Sequence, residues 1–292
     1  MINILSIVCL KLSLNSVLAT SQTFVLSHTY DQPFRLIGRY ANGPMLEWGI
    51  DFYREPTVLL SDAPEAGDLE FIAEDETVLR GAVVRGSTVE RRPEPYHHFG
   101  PRIGITRTSV IGRNLFNAAL LPRGEGHIMK TNVVNLAEYC HPDSPIQYTY
   151  MILARVEFSV NLVNQQSSEI LPISTDTPPR RDMFTSLSTS SKSRVPRFAF
   201  NHIEAEVIRN GCSEDALNSL PKIEYSNRNY GVAVYMFPED YVVNVAGQCQ
   251  LLIESNFDGY TWEDYTWGRN MLRNLGVLID FVNSRLGICD PL

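Results

Sequence analysis

The stretch Ile146-Gln-Tyr-Thr-Tyr-Met-Ile-Leu-Ala-Arg-Val-Glu-Phe-Ser-Val-Asn-Leu-Val163 gives the clearest indication of the fold. It is rich in β-branched and aromatic residues, and neither glycine nor proline interrupts it, which is typical of β-strands. Because the stretch is longer than a usual strand, we expect two strands or one bent strand.

Shorter apolar runs on both sides of this stretch also predict strands; they lie at 24–26, 77–84, 230–237, 241–245 and 248–254. Few segments predict helices. A short helix is expected at 114–121, and a longer one between Trp262 and Leu286, where apolar residues recur at helical spacing and Gly287 would end the helix. The fold class expected is therefore α+β and β-rich, with a mixed or antiparallel sheet core and a C-terminal packing helix. No internal repeat is evident.

The chain divides into four segments by composition. Residues 1–19 are apolar, acid-free and end in Ser16-Val-Leu-Ala19, so they are predicted to be a signal segment, although Lys11 interrupts the run and a first strand or buried helix is the alternative. Residues 20–164 form a β-rich region. Residues 165–196, rich in Ser, Thr and Pro, are predicted to be a loop or linker. Residues 197–292 are expected to hold strands and the C-terminal helix of the same folding unit.

Four cysteines would remain after loss of a signal segment: Cys140, Cys212, Cys249 and Cys289. An even number permits two disulfides, with three possible pairings. This predicts an oxidising compartment and a secreted protein. No run is long enough for a transmembrane segment.

The net charge of −8 disfavours general binding to nucleic acid, since an acidic surface repels phosphate. Phosphate-binding loops, dinucleotide motifs, zinc-protease motifs and nucleophile elbows are absent from the sequence. The only histidine pair, His97-His98, lies among prolines, and no metal site is predicted.

One pair of residues has a chemical interpretation. Glu204 and Glu206 are two positions apart, and in a strand such residues project from the same face. Two carboxylates on one face repel each other, so one pKa should rise, as a general base or a cation-stabilising group requires. The alternative is that both glutamates face solvent on an edge strand.

The order of motifs resembles the secreted mono-ADP-ribosyltransferase toxins of the cholera and pertussis type. Ile105-Thr-Arg-Thr-Ser109 resembles their Ser-Thr-Ser strand, Tyr148–Asn161 resembles their Tyr-rich strand, and Glu204-Ala-Glu206 resembles their Glu-x-Glu strand. The resemblance implies transfer of ADP-ribose from NAD to a target protein.

The same resemblance implies roles for individual residues. Glu206 would be the catalytic carboxylate at the nicotinamide ribose, and Glu204 would orient the nucleophile. Thr108 and Ser109 would support the glutamate, and Arg35 or Arg39 would bind NAD from a position shifted relative to the family's first-strand arginine.

Two other functions fit the same sequence. A β-rich chain with Ser/Thr-rich loops also suits a viral coat or matrix subunit, located in the virion and partnered by further copies of itself. A secreted binding module without catalysis is the other alternative, with the aromatic residues of 259–268 as a possible contact surface for a sugar or a protein.

Overall fold

The computed structural model describes residues 21–26, 35–52, 57–60, 67–83, 88–91, 102–105, 115–124, 126–144, 146–150, 156–172, 183–188, 192–255 and 264–292. The strands of the first part of the chain are β1 Gln22–Leu26, β2 Arg35–Tyr40, β3 Leu46–Phe52, β4 Thr57–Leu60, β5 Gly67–Ile72, β6 Val78–Val83, β7 Thr88–Arg91, β8 Arg102–Ile105, β9 Asn117–Arg123 and β10 Gly126–Thr131. A single 3₁₀ turn, Leu136–Tyr139, follows them.

The second part of the chain adds strands β11 Gln147–Tyr150, β12 Val156–Val163, β13 Met183–Ser188, β14 Ser193–Val195, β15 Lys222–Asn227, β16 Val232–Met236, β17 Val242–Val245, β18 Gln248–Leu251, β19 Ile253–Ser255, β20 Asp264–Trp267, β21 Gly276–Asp280 and β22 Arg285–Cys289. The helices are α1 Arg197–Asn210, α2 Glu214–Ser219, α3 Pro238–Tyr241 and α4 Arg269–Leu272. The β-rich fold class is confirmed, with mixed and antiparallel sheets.

The long stretch 146–163 forms two strands, β11 and β12, as expected from its length. Two helix predictions are wrong in extent. Residues 117–121 belong to β9, and of the helix expected over 262–286 only the single turn α4 forms, followed by β21 and β22 with Gly287 inside a strand. All five residues of β21 are buried, and residues 276–279 form an apolar run that periodicity alone does not distinguish from a buried helix.

The loop predicted over 165–196 is also corrected in part. Strand β13 lies inside it and pairs with β12, β3 and β20, and β14 pairs with β19 and β20. Polar residues are tolerated there because a strand between other strands has all its backbone groups bonded, whatever its side chains are.

A six-stranded sheet has a palindromic order, β1-β10-β9-β21-β22-β11. Three strands from the first part of the chain are followed by three from the second, and β9 and β21 meet at the centre as an antiparallel pair. Such an order indicates two structural repeats related by a two-fold axis.

The larger sheet repeats in the same way. In the first half β2 pairs with β3 and β5, β5 with β6, β3 with β8 in parallel, and β4 with β8 and β7. In the second half β12 pairs with β13 and β15, β15 with β16, β13 with β20 in parallel, and β14 with β20 and β19. Ten strands of each half therefore correspond, and the second half adds α1, α2 and the hairpin β17–β18.

The axis between the halves passes through one residue pair. The parallel pairings end at Phe52–Ile105 in the first half and at Leu187–Trp267 in the second, so Phe52 corresponds to Leu187. These two residues are themselves paired across β3 and β13. One continuous cluster of buried side chains contains members of both halves, so the repeats share a single core.

Two disulfides form, Cys140–Cys289 and Cys212–Cys249. The first joins the chain just before β11 to the end of β22. The second joins the chain after α1 to the hairpin β17–β18. Two bridges fit an oxidising environment, as the cysteine number predicted.

Candidate functional site

Glu204 and Glu206 lie on helix α1, so the strand on which their pairing depended is wrong. The helix forms because Ala199, Ile203 and Val207 recur every four residues and are all buried. On a helix, positions two apart point about 200° away from each other, so the two carboxylates do not share a face. The local sequence pattern therefore packs one face of the helix against the core and does not bring the two carboxylates together.

The carboxylate of Glu206 is bound by its own helix. Its Oε1 accepts from Nη1 of Arg209 at 2.7 Å, and its Oε2 accepts from Nδ2 of Asn210 at 3.0 Å. Pairs three and four residues apart are usual on a helix surface. The helix ends one residue later at Gly211, whose φ of 75° favours glycine.

The predicted NAD-binding arginines belong to the surface of the larger sheet. Arg35 pairs with Glu47 at 3.4 Å. Arg39 donates to Glu70, which Arg80 also contacts at 2.7 Å. These residues sit on neighbouring strands, in an ion-pair row across β2, β5 and β6.

The second half repeats this row with different side chains. The strand registers can be counted outward from Phe52 in the first half and from Leu187 in the second. By this count, Glu224 in the second half corresponds to Glu70 in the first. Glu224 accepts from Nδ2 of Asn161 at 3.1 Å and from the hydroxyl of Tyr235 at 3.2 Å. Each half therefore has a glutamate that is contacted by side chains from both neighbouring strands. Arg39 is one of these side chains, so it belongs to the surface of the sheet.

Thr108, Ser109, the His97-His98 pair and residues 259–263 lie outside the described residues. Tyr265 and Trp267, from the second part of the predicted aromatic contact surface, are buried in the core. Among the residues that are described, no three His, Cys, Asp or Glu side chains are grouped closely enough to hold a metal ion. In the same part of the chain, no helix has the length and apolar character needed to cross a membrane.

The junction of the two halves is the antiparallel pairing of β3 with β13. Asp51 is next to Phe52 in β3, and its register partner across the junction is Ser188. Because Phe52 corresponds to Leu187, the residue that corresponds to Asp51 is Ser186. The two-fold axis therefore relates an acid in one half to a hydroxyl in the other.

A cavity of about 300 Å³ lies in the second half, between the last strand of each sheet. Its walls come from β16, from the start of β11, from the end of β22 and from the chain around α3 and α4. The lining residues are Ser144, Gln147, Ala233, Val234, Tyr235, Phe237, Asp240, Met271, Asn274, Leu275, Ile288, Cys289 and Asp290. The volume is at the lower end of the range usual for small-ligand sites.

Asp240 is the buried charge in this wall, with only 4% of its side chain exposed. Its Oδ1 accepts from Nε and Nη2 of Arg273, at 2.9 and 2.7 Å, and from Nδ2 of Asn274 at 2.9 Å. Its Oδ2 accepts only from the backbone N–H of Phe237, at 3.0 Å. Burial raises the pKa of the Asp240 carboxyl, although the bond from Phe237 and the charge of Arg273 act in the opposite direction.

In the first half, residues of the turn between β5 and β6 contact β1. Gln22, the first residue of β1, donates to Oγ1 of Thr77 at 2.9 Å, and the N–H of Glu74 donates to the carbonyl of Thr23. The turn between β5 and β6 therefore covers β1. In the second half Gln147, the first residue of β11, has no hydrogen bond from its side chain to the described residues, and it lines the cavity instead.

The sequence predicted strands around this cavity but did not indicate the cavity itself. Its residues come from five separate segments between 144 and 290. A local signal existed only for Asp240, which follows Phe237-Pro-Glu at the spacing of a helix-start motif. No protein-family model matches the chain, and no curated protein matches it at a significant level.

Proposed function

We propose that the protein is a secreted, disulfide-bonded binding protein without catalytic activity, and that it binds its ligand in the cavity between β16 and β11. The observation that carries the proposal is the cavity itself, which combines a nearly buried carboxylate, Asp240, with apolar walls. Binding sites of this kind place a few polar groups in a largely apolar, preformed pocket.

The location of Glu204 and Glu206 supports a binding function rather than catalysis. Transfer of ADP-ribose, the activity that the motif order implied, needs the two glutamates to face one site. Helix α1 turns them apart, and Glu206 is engaged by Arg209 and Asn210. The roles of these residues in NAD chemistry remain a prediction that an assay decides.

A fragment screen by amide NMR tests the binding function. Uniformly labelled protein is titrated with a library of small polar and aromatic fragments. We expect the shifted amides to cluster at Ala233–Tyr235, Gln147 and Asn274, the residues that line the cavity. Hits scattered over the surface, or clustered on other described residues, would contradict the proposed site.

An NAD hydrolysis assay tests the alternative. Wild type and Glu206→Gln are compared, with Glu214→Gln as a control because Glu214 is another glutamate on a helix surface. We expect no turnover from any of the three proteins. Turnover by wild type that Glu206→Gln alone abolishes would replace the binding function with the transferase.

A further inference from the structure

We infer that the ligand of the cavity is an extended peptide segment that pairs with the free edge of β16 and places a lysine or arginine side chain in the cavity. The inference rests on the proposed binding function and specifies the class of partner. It follows from two features of the second half, the sheet edges and the acceptors in the wall.

Two sheet edges meet at the cavity, and no strand of the described residues pairs with either of them. Strand β16 is the last strand of the larger sheet, and β11 is the last strand of the six-stranded sheet. Alternate residues of β16 direct their N–H and C=O groups away from β15, and Ala233, Val234 and Tyr235 all line the cavity. Unpaired backbone groups along an accessible edge are what an added peptide strand binds.

A hydrogen bond joins the two edges at one end. At one end, Nδ2 of Asn227 donates to Oγ1 of Thr149 at 3.2 Å, which ties the end of β15 to β11. From that bond, β16 leads away toward Met236, and β11 leads away toward Gln147. The cavity lies beyond the bond, where an extended segment has room beside β16.

The polar groups in the wall are mostly hydrogen-bond acceptors. Asp240 Oδ2 accepts one bond, and the carboxylate of Asp290 and Oδ1 of Asn274 accept none from the described residues. The lining contains two carboxylates but neither lysine nor arginine. A carboxylate has about four acceptor positions and Asp240 already accepts four bonds, so the exposed carboxylate of Asp290 is the acceptor that an added donor would use.

Two cations lie behind the wall, and they do not change the preference of the cavity for a ligand that donates hydrogen bonds. Arg273 already pairs with Asp240, and Lys222 lies over the ring of Tyr235 at 4.4 Å. The Arg273 guanidinium also donates to the backbone carbonyl of Glu239, so both cations already have partners. An ammonium or guanidinium group, which carries only donors, is the complement of the cavity.

The test uses a capped hexapeptide of alternating valine and threonine with one central lysine. Binding to the full protein is measured by calorimetry and by amide NMR. We expect saturable binding, with shifts at Ala233–Tyr235 and Gln147. N-methylation of alternate peptide amides should weaken binding at least about tenfold, because strand pairing loses its hydrogen bonds. Replacement of the lysine by norleucine should weaken it about two- to fivefold, the range of a partly exposed charge pair.

Variants of the protein separate the two contributions. Asp290→Asn should weaken the lysine peptide about two- to fivefold and leave the norleucine peptide unchanged. The matched control Asp68→Asn, an exposed aspartate on β5, should change neither. Ala233→Arg, at an exposed position of the β16 edge, should abolish binding of both peptides, while melting temperature checks that the variant is folded.

Three results would overturn the inference. They are no saturable binding of the lysine peptide, equal binding of the N-methylated peptide, or shifts that map outside β16 and β11. If fragments still cluster in the cavity while the peptide fails to bind, the binding function stands and the peptide partner is wrong. If neither binds, both proposals fail.

Discussion

Removal of the disulfide Cys140–Cys289 is expected to destabilise the protein more than removal of Cys212–Cys249. The bridges close loops of very different length, since their cysteines are 149 and 37 residues apart. In the loop-entropy description, losing the long-range bridge costs about 5 kcal/mol and losing the short-range one about 4 kcal/mol. The difference that depends on loop length is about 1.2 kcal/mol.

Two further features bear on that difference. The short-range loop lies inside the long-range one, and its bridge shortens the effective outer loop, which lowers the outer contribution by only about 0.3 kcal/mol. Burial acts in the opposite direction, because Cys140 and Cys289 are 7% and 6% exposed, whereas Cys249 is exposed. Replacing the first pair by alanine therefore also removes buried sulfur contacts.

The assay is denaturant unfolding of the two double-alanine variants and of wild type under non-reducing conditions. The fluorescence of the fully buried Trp48 and Trp267 reports the transition. A larger loss of unfolding free energy in the Cys212→Ala, Cys249→Ala variant would refute the reasoning. Losses below about 1 kcal/mol in both variants would show that the bridges do not constrain the unfolded chain as supposed.

The remaining predictions concern buried polar groups and the junction of the halves. The buried hydroxyl of Tyr225 has no partner among the described residues, so Tyr225→Phe should leave the free energy of unfolding unchanged or raise it by up to about 1 kcal/mol. Tyr241→Phe removes a 2.5 Å hydrogen bond to the carbonyl of Pro221, so it should lower the free energy of unfolding by about 1–2 kcal/mol in the same denaturant assay. Burial raises the pKa of Asp280, but its bonds from Asn283 and the Arg285 guanidinium outweigh burial and hold the pKa below the ordinary 3.8. The contribution of Asp280 to the free energy of unfolding is therefore complete above the ordinary pKa and is lost as the pH falls through the lower native pKa. Asp280→Asn should for this reason flatten the acid limb of a stability–pH curve, and an unchanged limb would contradict the prediction. Leu187→Ala, at a 1% exposed position on the two-fold axis, should cost about 2–5 kcal/mol, and chemical denaturation showing a loss near zero would mean that the junction is not packed as described.

The β-rich class could be predicted because it depends on local composition. Strands β11, β12, β16 and β17 follow from β-branched and aromatic runs bounded by turn residues, and the cysteine number indicated two bridges. The helix expected over 262–286 could not be distinguished from strands. A strand buried on both faces loses its alternation, and β21 has lost it completely.

The two-fold repeat was not evident from the sequence, although a trace of it is visible in retrospect. Gly112-Arg-Asn-Leu115 precedes β9, and Gly268-Arg-Asn-Met271 precedes β21, the two central strands of the six-stranded sheet. Four similar residues are too few to establish a repeat without the pairing pattern, because strand pairing constrains backbone geometry far more tightly than side-chain identity.

By itself, the sequence determined the strand-forming segments, the acidic surface and the capacity for two disulfides, since each depends on residue type and near neighbours. Only the tertiary structure decided that Glu204 and Glu206 lie on a helix, that Asp51 corresponds to Ser186, and that β16 and β11 leave a cavity between them. The physical reason is that these features depend on which distant strands pair and in what register, and register is set by the packing of the whole core.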